Sequence, residues 1–66
     1  MSSIAVAVRD RRRALSLRQI DLAELASVSE RFVRELESGK ETIRMDKLVA
    51  VLEVLGLELH ALGPQR

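Results

Sequence analysis

QIDLAELASVSERFVREL, residues 19–36, is the stretch from which the architecture can be read. Counted from Gln19, the apolar residues Leu22, Ala26, Val28, Val33 and Leu36 recur at spacings that turn them inward on two short helices. Ala23 sits where only a minimal side chain lets the second helix approach the first. This is the pattern of a helix-turn-helix over residues 18–38, and it leaves the intervening polar side chains on an outer face. A face of that kind points to duplex DNA as the partner.

Working outward, Ser2 or Ser3 can cap a first helix running to about Leu15, with Ile4, Val8 and Leu15 near one face and Arg9 and Arg13 on another. Ser16 interrupts it. The second helix starts near Arg18 and ends near Ala26, and Ser29 is placed to cap a third that stops at Ser38, Gly39 and Lys40, with Gly39 as a left-handed stop. Asp46 can cap a fourth helix, whose Leu48, Val51, Leu52 and Leu55 repeat at three- and four-residue spacing before Gly56 closes it. In LELHAL, residues 57–62, Leu57, Leu59 and Ala61 alternate with Glu58 and His60, which is the period of a strand. A lone strand has no partner for its backbone groups, so residues 57–62 are expected to pair with the same strand of a second subunit across a two-fold axis. The competing expectation is a frayed continuation of the helix, and Gly63 and Pro64 end ordered structure in either case.

The bulk numbers narrow the class. The 66 residues make one domain, and a chain this short buries only about 60% of the surface its unfolded form exposes, so self-association is expected on energetic grounds. Cysteine and tyrosine are absent and His60 is the single histidine, which excludes disulfides, thiolate metal sites and the usual nucleophile pairings. No phosphate-binding glycine loop is present, so neither an enzyme nor a cofactor is expected. The apolar run Ile4 to Val8 is too short for a signal-peptide core or a membrane span, and a soluble, cytoplasmic protein associated with the nucleoid is expected. The net charge is only +1, but its distribution is uneven. Residues 1–18 carry Arg9, Arg11, Arg12, Arg13 and Arg18 against Asp10 alone, whereas residues 19–30 carry Asp21, Glu24 and Glu30 and no base.

A third helix lying in the major groove would present its N-terminal turns to base edges. Those turns hold Ser29, Glu30, Arg31, Arg34 and Glu35. Arg31 and Arg34 are the first choices for reading bases, because a guanidinium can donate two parallel hydrogen bonds to guanine, a contact worth roughly 1 to 3 kcal/mol of discrimination. Glu30 can accept from a cytosine amino group or simply complement the helix dipole. Glu35, four residues after Arg31, is placed to orient that arginine. Arg9, Arg18, Gln19, Lys40 and Arg44 are the candidates for the DNA backbone, with Gln19 opening the second helix beside its free N–H groups. Arg12 and Glu37 are expected to form a partly buried structural ion pair where the first helix meets the end of the third. Phe32 is expected to pack inward rather than to stack on a base.

Residues 8–56 resemble the Cro/C1-type (XRE) helix-turn-helix family. Within that family RFVRELESGKETIRMDKLVAVLEVLGLEL, residues 31–59, is similar to the HipB-type antitoxins and the y4mF-like transcriptional regulators, a likeness that extends over residues 8–62. The resemblance implies an all-α, lambda-repressor-like domain of four to five helices with one short C-terminal strand pairing across a dimer. It also implies a homodimeric repressor on a palindromic operator and, as a further partner, a HipA-like serine/threonine kinase toxin. By the same resemblance Gln19 grips the backbone, Ser29, Glu30, Arg31 and Arg34 face the groove, and Arg12 pairs with Glu37. A stand-alone or phage-type repressor without a toxin and a protein-interaction adaptor are the alternatives. The family usually has glycine where this chain has Ser16 and Ser27, and a serine held at positive φ there costs on the order of 1 kcal/mol relative to glycine.

Overall fold

Four helices account for most of the chain. The computed structural model describes residues 2–60, which form α1 (Ser2–Ala14), α2 (Gln19–Ala26), α3 (Glu30–Glu37) and α4 (Met45–Leu55). Helix α2 packs on both α3 and α4, and α1 closes the other side against α3 and α4. The all-α, lambda-repressor-like architecture expected from the sequence is the one observed.

The core is built from the apolar positions that periodicity singles out. Leu22, Ala23, Ala26, Val33 and Leu36 of the central motif are buried, as are Val8 of α1 and Leu48, Val51, Leu52 and Leu55 of α4. Phe32 is buried with them, while Ile4 and Val28 pack against the cluster from its edge. Ala23 is 2% exposed on the helix that touches both α3 and α4, so a larger side chain there must push them apart. Leu15 departs from the expectation: α1 ends one residue earlier, at Ala14, and Leu15 stands 41% exposed in the turn.

All four helices stop by the same device, in which a residue at positive φ lets two backbone N–H groups turn back onto the last turn. Ser16 donates to the Arg13 carbonyl at 3.0 Å and Leu17 to that of Arg12 at 3.1 Å. Ser27 and Val28 repeat this on Glu24 and Ala23, Gly39 and Lys40 on Leu36 and Glu35, and Gly56 and Leu57 on Glu53 and Leu52. The residue that follows the turn is Leu17, Val28 or Leu57 in three cases, and each packs onto the core. In the fourth it is Lys40, which leaves α3 with a charged exit. The φ values are 59° at Ser16, 57° at Ser27, 88° at Gly39 and 70° at Gly56, so both serines do adopt the conformation that favours glycine.

Helix starts are less uniform. The Ser29 hydroxyl accepts from the Phe32 N–H at 3.0 Å, the cap expected for α3. At α2 the Asp21 carboxylate reaches back to the Arg18 N–H at 2.8 Å. Asp46 does not cap α4. The helix begins at Met45 after Arg44, and Asp46 lies within the first turn, where its carboxylate binds the Arg44 guanidinium and complements the helix dipole.

The expected strand is not seen. Leu57 to His60 have no regular secondary structure, and no strand occurs among the described residues. A strand needs hydrogen-bonding partners along its edge, and within one chain of helices there are none to offer. Ala61 and Leu62, expected to complete it, lie outside the described residues, as do Gly63 and Pro64. No helix among the described residues is long and apolar enough to cross a membrane.

Candidate nucleic-acid interface

Helix α3 divides its residues sharply. Phe32, Val33, Leu36 and Glu37 face the interior, while Arg31 and Arg34 point outward with side chains 80% and 55% exposed. Burying one face in the packing against α1 and α2 forces the arginines into solvent, because they stand on the opposite side of the helix. The side chains that can reach a ligand are thus the ones the apolar pattern leaves over.

Each exposed cation of this face is matched to a carboxylate. Arg31 Nε donates to Glu35 Oε2 at 3.1 Å, one helical turn on, so the expected orientation of Arg31 by Glu35 is observed. The second Glu35 oxygen receives Lys40 Nζ at 3.2 Å. Those two cations, Lys40 first, pull the Glu35 carboxyl below its usual range. Arg34 NH1 lies 3.1 Å from Glu30 Oε2, a pairing the sequence reading did not anticipate although the two are also one turn apart. Arg44 holds Asp46 at 2.7 Å and lowers its pKa, and Arg18 holds Asp21 at 2.8 Å. The Arg18 contact, through its guanidinium first and its backbone N–H second, lowers the Asp21 pKa from 3.8 to about 2.

These elements enclose a cleft of about 230 Å³ between the start of α3, the α3–α4 loop and the start of α4. Ser29, Arg31, Glu35, Lys40 and Arg44 line it, which brings together five of the residues singled out from the sequence. Thr42 and Lys47 line it too and were missed. A signal for Lys47 was present: a cation in the first turn of a helix opposes the dipole, so another interaction must favour it. Its ammonium stands 5.9 Å from the centre of the Phe32 ring, close enough for a cation–π attraction.

A second group forms behind α3. Arg12 donates to both Glu37 oxygens, at 2.6 and 3.0 Å, and its third contact goes to the Leu17 carbonyl at 2.8 Å. Both residues are 8% exposed, so the pair is buried more fully than the partly buried one expected. The hydrogen bond to Glu37 raises the Arg12 pKa further above its already high value, against the opposing effect of burial. Gln19 Nε2 donates to the same carboxylate at 3.1 Å, which fixes the amide at the start of α2 and leaves its oxygen and second N–H for other partners. Arg9 is not drawn into either group. Its nearest acid is Asp10 at 3.9 Å, and its buried Nε has no hydrogen-bond partner.

One further cation was not foreseen. Arg11 Nε donates to the Leu55 carbonyl at 2.9 Å and so stabilises the negative end of α4. Among the described residues no group of acids or histidines is placed to hold a metal ion.

Residues 8–62 match the helix-turn-helix family model. The chain is also similar to an uncharacterized HTH-type transcriptional regulator, y4mF, of Sinorhizobium fredii (strain NBRC 101917 / NGR234): 40% of 63 aligned residues are identical, covering 96% of this chain and 83% of the relative. A motif whose second helix is buried on one face and arginine-bearing on the other, matched over most of its length, leads to one conclusion: the chain belongs to the helix-turn-helix family, in its Cro/C1-type branch.

Proposed function

We propose that this protein is a sequence-specific, double-stranded DNA-binding transcriptional repressor that acts in the cytoplasm on the nucleoid. The observation that carries the reading is the pair Arg31 and Arg34, held outward on successive turns of α3 beside a cleft lined by Lys40, Arg44 and Lys47. In the proposed complex α3 enters the major groove, Arg31 and Arg34 read base edges with Ser29, Glu30 and Glu35 around them, and Arg18, Gln19, Lys40 and Arg44 hold phosphates. Arg9 of α1 is the remaining member of that backbone set. The named relative is itself described as an HTH-type transcriptional regulator, which supports the reading.

A homodimer is part of the proposal. Two copies pairing through residues 57–62, with Leu57, Leu59 and Ala61 in the shared sheet, would place two recognition helices about 34 Å apart in successive major grooves of a palindromic operator. Leu59, Met45 and Val49 are exposed apolar residues, and Leu59 and Val49 line one cleft with Leu52 and Leu57. Covering that surface would offset the thin core of a short chain. The finer role proposed is that of a HipB-like antitoxin, repressing its own operon and restraining a HipA-like serine/threonine kinase. That role rests on the resemblance of residues 31–59.

The test is a salt titration of binding to duplexes recovered by random-oligonucleotide selection. A repressor contacting six or more phosphates loses affinity with a log–log slope of about −0.9 per contact, and the selected sites have two-fold symmetry. No salt-dependent binding to any duplex would favour the protein-interaction adaptor, a reading consistent with a net charge of +1. Co-purification with a kinase encoded next to the gene separates the antitoxin from a stand-alone repressor.

A further inference from the structure

Glu35 occupies an unusual place for an acid. It lines the cationic cleft with Arg44 and Lys47, and bridges Arg31 on α3 to Lys40 in the following loop. Its two oxygens stand where two phosphate oxygens of a nucleic-acid backbone could stand, 3.1 Å from a guanidinium nitrogen and 3.2 Å from an ammonium. We propose that Glu35 is a built-in competitor for backbone phosphate, which suppresses binding to arbitrary DNA while leaving Arg31 free to read a base.

The geometry separates those two effects. Glu35 takes only the Nε side of Arg31, so both terminal nitrogens, the pair that can bind the O6 and N7 of a guanine together, stay available on a side chain that is 80% exposed. The Lys40 ammonium and the Nε of Arg31 are the donors best suited to generic phosphate contact, and those are the ones occupied. Arg34 differs, because Glu30 holds it through a terminal nitrogen and so engages one of the two terminal nitrogens that would face a guanine together. Affinity for arbitrary DNA is set by how many phosphates are neutralised, and a cation that already holds a carboxylate contributes less. Glu35 weakens the phosphate contact of Lys40 on any duplex, whereas the orientation it gives Arg31 counts only where a guanine is read, so the ratio of specific to non-specific binding rises.

This inference rests on the DNA-binding reading, and its test keeps the two apart. The selected operator duplex and a scrambled duplex are titrated with the wild-type protein, Glu35→Gln and Glu24→Gln, by fluorescence anisotropy at several salt concentrations. Glu24 is an exposed acid of α2 with no ion pair among the described residues, so its substitution removes one negative charge near the same surface without freeing a bridged cation. Glu35→Gln is expected to bind scrambled DNA about three- to tenfold more tightly than Glu24→Gln does, as two freed surface cations warrant. Its salt slope should steepen by about 0.9 to 1.8, and its operator affinity should stay level or fall as Arg31 loses its orientation. Equal effects of the two substitutions on scrambled DNA would overturn the competitor role while the wild-type binding curves still stood. Wild-type protein that binds neither duplex would overturn both. Circular-dichroism melting of each variant confirms that the folded protein is being compared, and the specificity ratio is a readout that a loss of stability alone does not move.

Discussion

Helix α3 takes part in two kinds of arginine–carboxylate pair, one buried, two-pronged and joining two helices, the other exposed, single and within one helix. Arg12 and Glu37 meet at 2.6 Å behind α3, each 8% exposed, with Leu17 and Gln19 completing their hydrogen bonds. Arg31–Glu35 and Arg34–Glu30 meet at 3.1 Å on the outer face of the same helix, in solvent. An exposed pair of this kind contributes about 0 to 1 kcal/mol to stability, because water and salt screen it and long side chains lose entropy by holding still. A buried pair is different: removing one partner strands a charge where water cannot reach it. Burial, and not residue type, makes the first pair structural and leaves the second free to exchange partners.

The largest effect expected from breaking this contrast is on the buried side. Glu37→Ala leaves Arg12 with the Leu17 carbonyl alone and should cost about 3 kcal/mol, the low end for a buried pair because a little of each side chain still reaches solvent. In a domain this small such a loss lowers Tm by more than about 10 °C, measured by circular dichroism or calorimetry. Arg31→Ala and Arg34→Ala are the counterpart. Each should change stability by less than about 1 kcal/mol yet weaken operator binding by about 1 to 3 kcal/mol and relax base preference, read by competition gel shift. Equal stability losses from Arg31→Ala and Glu37→Ala would erase the distinction between the two regions.

Ser16→Gly and Ser27→Gly sharpen the scale without touching either pair. Both serines sit at positive φ, and each replacement should stabilise the fold by about 1 kcal/mol in urea unfolding with operator affinity unchanged. The reverse change, Gly39→Ala, should destabilise by a similar amount through backbone strain alone, since a Cβ there would meet nothing within 4 Å. The smallest effect belongs to Asp21. Its pKa is depressed to about 2 from 3.8, so the favourable contact with Arg18 is fully present above about pH 4 and is lost as pH falls toward 2. Asp21→Asn should flatten that part of the stability profile, slightly, because the pair is open to solvent.

Most of what was legible in the sequence is short in range; Arg12–Glu37, 25 positions apart, is the exception, because the helix-turn-helix architecture itself brings the first helix to the end of the third. Ser29 as the cap of α3, Gly39 and Gly56 as helix stops, and the stripe Leu48, Val51, Leu52 and Leu55 were readable because each depends on neighbours within one or two helical turns. The Arg31–Glu35 contact was readable for the same reason. Asp46 is not the cap because α4 starts two residues earlier than composition suggests, and an acid complements the first turn as well as the cap position. Arg11 on Leu55 and Gln19 on Glu37 were invisible, since they join residues 44 and 18 positions apart. Lys47 entered the cleft only because α4 begins beside α3.

The consecutive arginines 11, 12 and 13 mark where the sequence alone stops. Composition and periodicity determine that they ride the last turn of a helix, where cations suit the dipole. Each residue then advances about 100° around the axis, so three identical side chains leave in three directions. Arg11 meets the end of α4, Arg12 meets a buried carboxylate, and Arg13 meets water. The pairing of Arg12 with Glu37 was expected from the architecture the sequence implies. That Arg11 closes the end of α4 while Arg13 stays in water was settled only when α4 packed against α1, because the environment of a charge is supplied by elements that the chain reaches long after it has turned away.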